Sequence, residues 1–242
     1  MNEYVIETEK LNKKSGNSYR VHDLNMKVPK ACVYGLLGPN GAGKTTTLKM
    51  ILALIRPTTG NIKINGQIIT GKNQLSILSH IGSLIENPGG YPHLTGLENM
   101  QIIQKLKRVP EEEIIKALKT VRLYEQKDKL LKHYSLGMRQ RLGIAIALLG
   151  DPDILILDEP TNGLDPAGIQ EIRELIRYLS REKGITIIIS SHLLSEVEQM
   201  ADYIGILDHG QMLYQGELSK LEKEGSNLED MFLQMTEGGK SL

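Results

Sequence analysis

Gly38-Pro39-Asn40-Gly41-Ala42-Gly43-Lys44-Thr45 follows an apolar run, Cys32 to Leu37, and leads into a helical stretch that ends near Leu54. A Gly-x4-Gly-Lys-Thr turn between a strand and a helix is a phosphate cradle. Its glycines let consecutive backbone N–H groups turn inward around anionic oxygens without a Cβ clash, and the helix N-terminus adds partial positive charge. One such strand, loop and helix predicts an α/β fold whose ligand sits at the carboxyl ends of parallel strands.

Working outward, short β-branched runs at Ile62 to Ile64, Ile154 to Leu157, Ile185 to Ile189 and Tyr203 to Leu207 predict further strands. The runs at 154 and 185 are almost continuously apolar, as strands covered on both faces of a parallel sheet are. Between them, Ile169, Ile172, Leu175, Ile176 and Leu179 recur at helical spacing within Ala167 to Lys183, giving a strand, helix, strand unit. Asn99 to Leu149 has no strand pattern; Ile102, Ile103 and Leu106, then Ile114, Ile115, Leu118 and Val121, predict an all-helical insertion. Asn65-Gly66 between two short apolar runs predicts a hairpin, and with it antiparallel sheet near the N-terminus. The expected organisation is a core with an antiparallel β region over 1–85 and 151–215, a helical subdomain over about 86–150, and a tail over 216–242 with a helix from Asn227 to Met235.

Composition narrows the function. With Lys+Arg 29 and Asp+Glu 29 in 242 residues the formal charge is zero, so nothing draws the chain generally to nucleic acid or anionic lipid. Cys32 is the single cysteine, which rules out an intramolecular disulfide and fits a reducing compartment. Met1 to Lys10 has no apolar stretch and is not read as a secretory signal. The longest apolar run, Leu142 to Leu149, falls well short of the roughly 18 residues of a membrane span. His22, His80, His93, His133 and His209 show no metal spacing.

A triphosphate in the cradle makes further demands. Lys44 is placed to reach the β and γ phosphates, and the Thr45 hydroxyl to bind Mg²⁺. Ile154-Leu155-Ile156-Leu157 delivers Asp158 to a strand end as a second Mg²⁺ ligand, and Glu159 leaves the strand to orient and deprotonate an attacking water. Ser135 begins an apolar-striped helix, so its hydroxyl, nearby N–H groups and the helix dipole form a second anion site, or else a plain helix cap. His192 follows Ile187-Ile188-Ile189-Ser190-Ser191 at a strand end, where its imidazole can donate to a γ phosphate and hold Glu159. Asp165 sits in a turn-rich loop and reads equally as a helix cap.

These motifs together resemble the nucleotide-binding subunit of an ABC transporter over essentially the whole chain: the loop at 38 to 46, Asp158-Glu159, Tyr134-Ser135-Leu136-Gly137-Met138-Arg139-Gln140-Arg141 as signature, Leu164-Asp165 as D-loop and His192 as switch histidine. The resemblance implies a P-loop NTPase of ABC type, with a mostly parallel core sheet, that binds ATP and Mg²⁺ and hydrolyses ATP. Gly38, Pro39, Asn40, Gly41, Ala42, Gly43, Lys44, Thr45 and Thr46 would hold the nucleotide. Two such subunits would face head to tail, each lending Ser135, Gly137 and Gln140 to the partner's ATP and touching the partner at Asp165. Separate transmembrane permease subunits would dock a short helix each around Glu86 to Asn99, keeping the chain peripheral at the cytoplasmic face of the cell membrane.

The departures from the family pattern are specific. Leu136 and Met138 stand where the signature has Gly and Gln. Ser15 stands where an adenine-stacking aromatic is usual, with Tyr19 four residues on as the candidate. In Ile81-Gly82-Ser83-Leu84-Ile85-Glu86-Asn87-Pro88, Glu86 replaces a Gln and would offer Mg²⁺ a charged oxygen. That substitution and Tyr91 to Asn99 resemble subunits that protect bacteria from lantibiotics and bacitracin. An exporter of another substrate, and a non-transport ATPase of ABC type, remain the alternatives.

Overall fold

The computed structural model describes residues 3–86, 88–223 and 228–237. The chain opens with three strands, β1 (Tyr4–Ser15), β2 (Ser18–Leu24) and β3 (Lys27–Pro29), before β4 (Val33–Leu37), the phosphate loop and α1 (Lys44–Ile51). A hairpin of β5 (Thr59–Ile64) and β6 (Gln67–Ile68) follows, then α2 (Gln74–Leu78) and β7 (Ile81–Leu84). Three helices come next, α3 (Gly96–Lys107), α4 (Glu112–Thr120) and α5 (Leu136–Leu148). The second half alternates β8 (Ile154–Asp158), α6 (Pro166–Arg181), β9 (Thr186–Ser191), α7 (Leu194–Glu198), β10 (Tyr203–Asp208) and β11 (Gln211–Glu217), and ends in α8 (Leu218–Lys223) and α9 (Leu228–Glu237).

Among the described residues these strands form two sheets. The larger runs β11-β10-β4-β9-β8-β7, parallel throughout except for β11 at its edge; the smaller joins β2, β1, β5 and β6, with β3 also on β1, all antiparallel. Period-2 alternation explains why the central strands read as continuously apolar. Tyr34, Leu36, Ile154, Ile156 and Ile188 face a core shared with the small sheet and α1, through Ile6, Leu11, Val21, Leu48 and Ile51. Their neighbours Val33, Leu37, Leu155, Leu157, Ile187 and Ile189 face a second core shared with α4, α5 and α6. Fully burying each such side chain contributes about 1.5–3 kcal/mol, so neither face can be uncovered without large loss.

Residues 85–153 contain no strand among those described, only helices, short 3₁₀ turns and one isolated bridge between Thr95 and Leu130. Thr95 starts α3 through a capping box: its side chain accepts from the Glu98 N–H while the Glu98 carboxylate takes the Thr95 N–H. The Asn65-Gly66 hairpin forms as its sequence demands, with φ of 50° and 78° and Lys63 opposite Ile68.

Several expectations need correcting. Helix α1 ends at Ile51 rather than near Leu54, and α6 at Arg181 rather than Lys183. Strands β1, β2, β7 and β11 escape pattern reading. In β1 the positive φ at Lys10 and register shifts against its partners break the alternation of buried and exposed side chains. Strand β11 is an edge, where exposed side chains leave little apolar signal. The tail helix expected to start at Asn227 is described from Leu228; Asn227, like Asn87, lies outside the described residues. Leu228, Met231, Phe232 and Met235 pack on the second core.

Candidate functional site

The phosphate loop leaves β4 at the middle of the parallel sheet and enters α1 with Gly43 as N-cap. At Gly43 φ is 103°, and a Cβ there would stand 2.7 Å from the Arg20 carbonyl oxygen, so only glycine fits. Lys44 is 5% exposed, and its Nζ donates to the carbonyls of Gly38 (2.7 Å) and Pro39 (3.1 Å). The ammonium thus bridges the mouth of its own loop. Burial lowers its pKa, and the nearby carboxylates of Glu159 and Asp158 oppose that.

The strand ends supply the acids. Asp158 closes β8, buried, and its carboxylate accepts from the Thr45 hydroxyl at 2.8 and 3.1 Å. Ser190, at the matching position of β9, donates to Asp158 Oδ1 at 2.5 Å and accepts the Glu159 N–H at 2.9 Å. One hydroxyl therefore ties the two acids together, a role no sequence motif announces. Glu159 leaves the strand with φ 48°, which turns its side chain away from Asp158. Its Oε1 lies 3.3 Å from His192 Nδ1 and 3.9 Å from Lys44 Nζ, and its Oε2 accepts from Asn162 Nδ2 at 3.2 Å. Lys44, Thr45, Asp158, Glu159 and His192 are thereby brought together.

A metal fits this donor set. The Thr45 hydroxyl and Asp158 carboxylate are hard oxygens 2.8 Å apart, close to the separation of about 2.9 Å between adjacent octahedral ligands at Mg²⁺ bond lengths. Glu86 is not brought to them. It follows β7 with φ 63°, so its carboxylate pairs with Lys49 on α1, and it stays 64% exposed.

The loop's cavity has a volume of about 240 Å³ and is lined by Arg20, residues 40–46 and Glu159. That is below the roughly 300–1,000 Å³ that enclose a drug-sized ligand. Ser135, Gly137 and Gln140 do not line it. Ser135 caps α5, accepting the Met138 N–H at 3.2 Å, which leaves its own proton free to donate. Gly137 faces Leu164, and Leu136 covers Gly163, so the signature and the 163–165 turn form one surface apart from the loop. Gln140 is buried within α5. Asp165 caps α6, accepting the Gly168 N–H at 2.9 Å. Tyr19 lies in a separate cavity of about 820 Å³, edge-on to His22 and under Lys14; its neighbour Arg20, which pattern reading passed over, lines the phosphate cavity.

Cys32 is buried, donates to the Pro29 carbonyl, and has its thiol pKa pushed up to about 12 by burial first and Asp202 second. It is a packing residue. Thr161, two residues past Glu159, donates to the buried Glu196 on α7, joining the Glu159 loop to the segment that carries His192.

A family profile described as ABC transporter matches residues 21–162, and one described as AAA domain, putative AbiEii toxin, Type IV TA system matches 128–198, overlapping the first over 128–162. The bacitracin transport ATP-binding protein BcrA of Enterococcus faecalis is 51% identical over 91% of this chain and 72% of its own. The lantibiotic transport ATP-binding protein SrtF of Streptococcus pyogenes is 43% identical over 94% of this chain and 96% of its own. Among solved structures, the dimeric post-hydrolysis state of the ATP-binding cassette MJ0796 bound to ADP and Pi superposes with a TM-score of 0.78 at 25% identity, covering 88% of this chain and 98% of that one.

Proposed function

The chain belongs to the ABC transporter family as an ATP-binding, ATP-hydrolysing subunit, and from that premise we propose that it powers the export of an antimicrobial peptide of the bacitracin or lantibiotic kind, giving its host immunity or resistance. The observation that carries the substrate is the 51% identity to BcrA across nine-tenths of this chain, supported by the likeness to SrtF over almost the full length of both proteins.

In the proposed cycle the amides of residues 38–46 and Lys44 bind the phosphate tail. Lys44 exchanges its two loop carbonyls for phosphate oxygens, which repays the low-dielectric placement of its charge. Thr45 and Asp158 would hold Mg²⁺, which would supply positive charge to offset that of the phosphate tail. Glu159, gripped by Asn162 and His192, orients water and takes its proton, and His192 donates toward the γ phosphate. A second subunit completes the shallow cavity with the free hydroxyl proton of Ser135 and the half-buried backbone at Gly137, while the 163–165 turn beside them meets the partner. Gln140 acts from inside α5 by fixing that helix.

Among the described residues no helix is long and apolar enough to cross a membrane. In the proposed assembly separate permease subunits carry the translocation path and dock around 86–99 from the cytoplasmic face. The test is expression with the cognate permease in a sensitive host. Tolerance to bacitracin or a lantibiotic should rise, and Lys44→Ala should abolish the gain. ATP hydrolysis without a change in tolerance to either peptide class overturns the substrate reading.

A further inference from the structure

One wall of the phosphate cavity comes from far away in sequence. Arg20, on β2, lines it together with residues 40–46 and Glu159. Its placement is fixed by the backbone. The Arg20 carbonyl oxygen lies 2.7 Å from where a Cβ would stand at Gly43, and equally at Gly210, so β2 is wedged between the phosphate loop and the turn joining β10 to β11. His22 N–H donates to the Gly210 carbonyl (2.8 Å), and Gly210 N–H to that of Ala42 (2.9 Å), locking the three segments together. The Arg20 guanidinium has no hydrogen-bond or ion-pair partner among the described residues.

The sheet order sets which side of the loop Arg20 occupies. Strand β4, which delivers the loop, lies between β10 and β9. Glu159 and His192, the hydrolytic end, come from β8 and β9 on one side of the loop; Arg20 and the 210 turn lie on the β10 side. A triphosphate threaded over the start of α1 with its terminal phosphate toward Glu159 carries its base toward Arg20. No aromatic ring lines the cavity among the described residues, because Tyr19 occupies a different one.

We propose that Arg20 is the specificity-determining residue for the nucleotide base: its planar guanidinium stacks on the base of bound ATP in the absence of an aromatic platform. Guanidinium planes stack on π-systems through cation–π attraction, most effectively where water is partly excluded. The inference rests on residues 38–46 being the ATP site, and the probes separate the two statements.

Calorimetric titration of the full chain with ATP and with inorganic tripolyphosphate, a probe lacking a base, tests it. Arg20→Ala weakens ATP binding about 10-fold or more and leaves tripolyphosphate affinity within about 2-fold, while Arg20→Tyr recovers most of the ATP affinity. Equal loss for both probes places the guanidinium on the phosphates and overturns the proposal, as does unchanged ATP affinity. Lys44→Ala weakens both probes if the loop is the nucleotide site; a wild-type chain that binds neither overturns that reading instead. Because Arg20 is exposed, melting curves of the variants stay with wild type and exclude misfolding as the cause.

Discussion

Replacing Ser190 by alanine removes one buried hydroxyl and loosens both acids at once. The residue is fully buried at the end of β9, and its Oγ makes two bonds, donating to Asp158 at 2.5 Å and accepting from the Glu159 N–H at 2.9 Å. A hydrogen bond to a charged group contributes about 1.5–3 kcal/mol. The Glu159 N–H keeps a second acceptor, the Ser190 carbonyl at 3.2 Å, so the main loss is at Asp158, about 2 kcal/mol. For a chain of this size that lowers Tm by about 4–8 °C. If the same interaction is needed to hold the acids in the transition state, about 2 kcal/mol also lowers kcat about 30-fold. ATP affinity should stay within about 3-fold, because Lys44 and the loop amides do not touch Ser190. Differential scanning fluorimetry, steady-state ATPase kinetics and equilibrium ATP binding measure the three quantities. Wild-type melting and turnover, or ATP affinity falling in step with kcat, would falsify the bridging role.

Further substitutions probe other parts of the molecule. Glu159→Gln keeps the shape and the contact with Asn162 but cannot take a proton, so kcat should drop about 10²–10⁴-fold with ATP affinity nearly unchanged; near-normal turnover would remove Glu159 from the chemistry. Glu86→Gln breaks an exposed pair with Lys49 that stabilises by at most about 1 kcal/mol, so the Mg²⁺ dependence of hydrolysis should move less than about 2-fold, whereas a 10-fold shift would make Glu86 a ligand. Tyr34→Phe removes a hydroxyl that is buried without a partner and should raise stability by about 1 kcal/mol, seen as a higher Tm; a lower one would reveal a bond to that hydroxyl. The folded Cys32 thiol has its pKa raised to about 12 against an unfolded value of about 8.5. Its contribution to stability is therefore complete below pH 8.5 and is lost as pH rises toward 12. Below that window iodoacetamide should label Cys32 only after denaturation.

The phosphate loop and the Asp158-Glu159 strand end were legible because each is local. The chemistry of the loop lies in consecutive backbone amides, and the apolar run of β8 states both that the strand is buried and where it stops. Ser190 and Arg20 were not legible for the opposite reason. Ser190 matters through a strand pairing that sets it beside Asp158, 32 residues away. Arg20 matters through glycines at 43 and 210 that admit its strand. Tyr19 and Arg20, one residue apart on β2, line different cavities, and the Glu86 carboxylate pairs with Lys49.

In the function proposed above, this chain needs a second copy to be an efficient ATPase, and the same geometry supplies the reason. Its catalytic groups are gathered, but over a cavity of about 240 Å³ with an open side, and electrostatic stabilisation of a phosphoryl transition state is strong only where water is excluded. Meanwhile the start of α5 presents a Ser135 hydroxyl proton and a helix N-terminus beside the 163–165 turn. In the proposed pairing the two half-sites meet between chains, since α5 packs on one core and the phosphate loop on the other. Head-to-tail pairing lets each close the other. In that arrangement hydrolysis would cut the β–γ linkage of a nucleotide held between the two subunits, and the free energy of ATP hydrolysis would be read out as their separation.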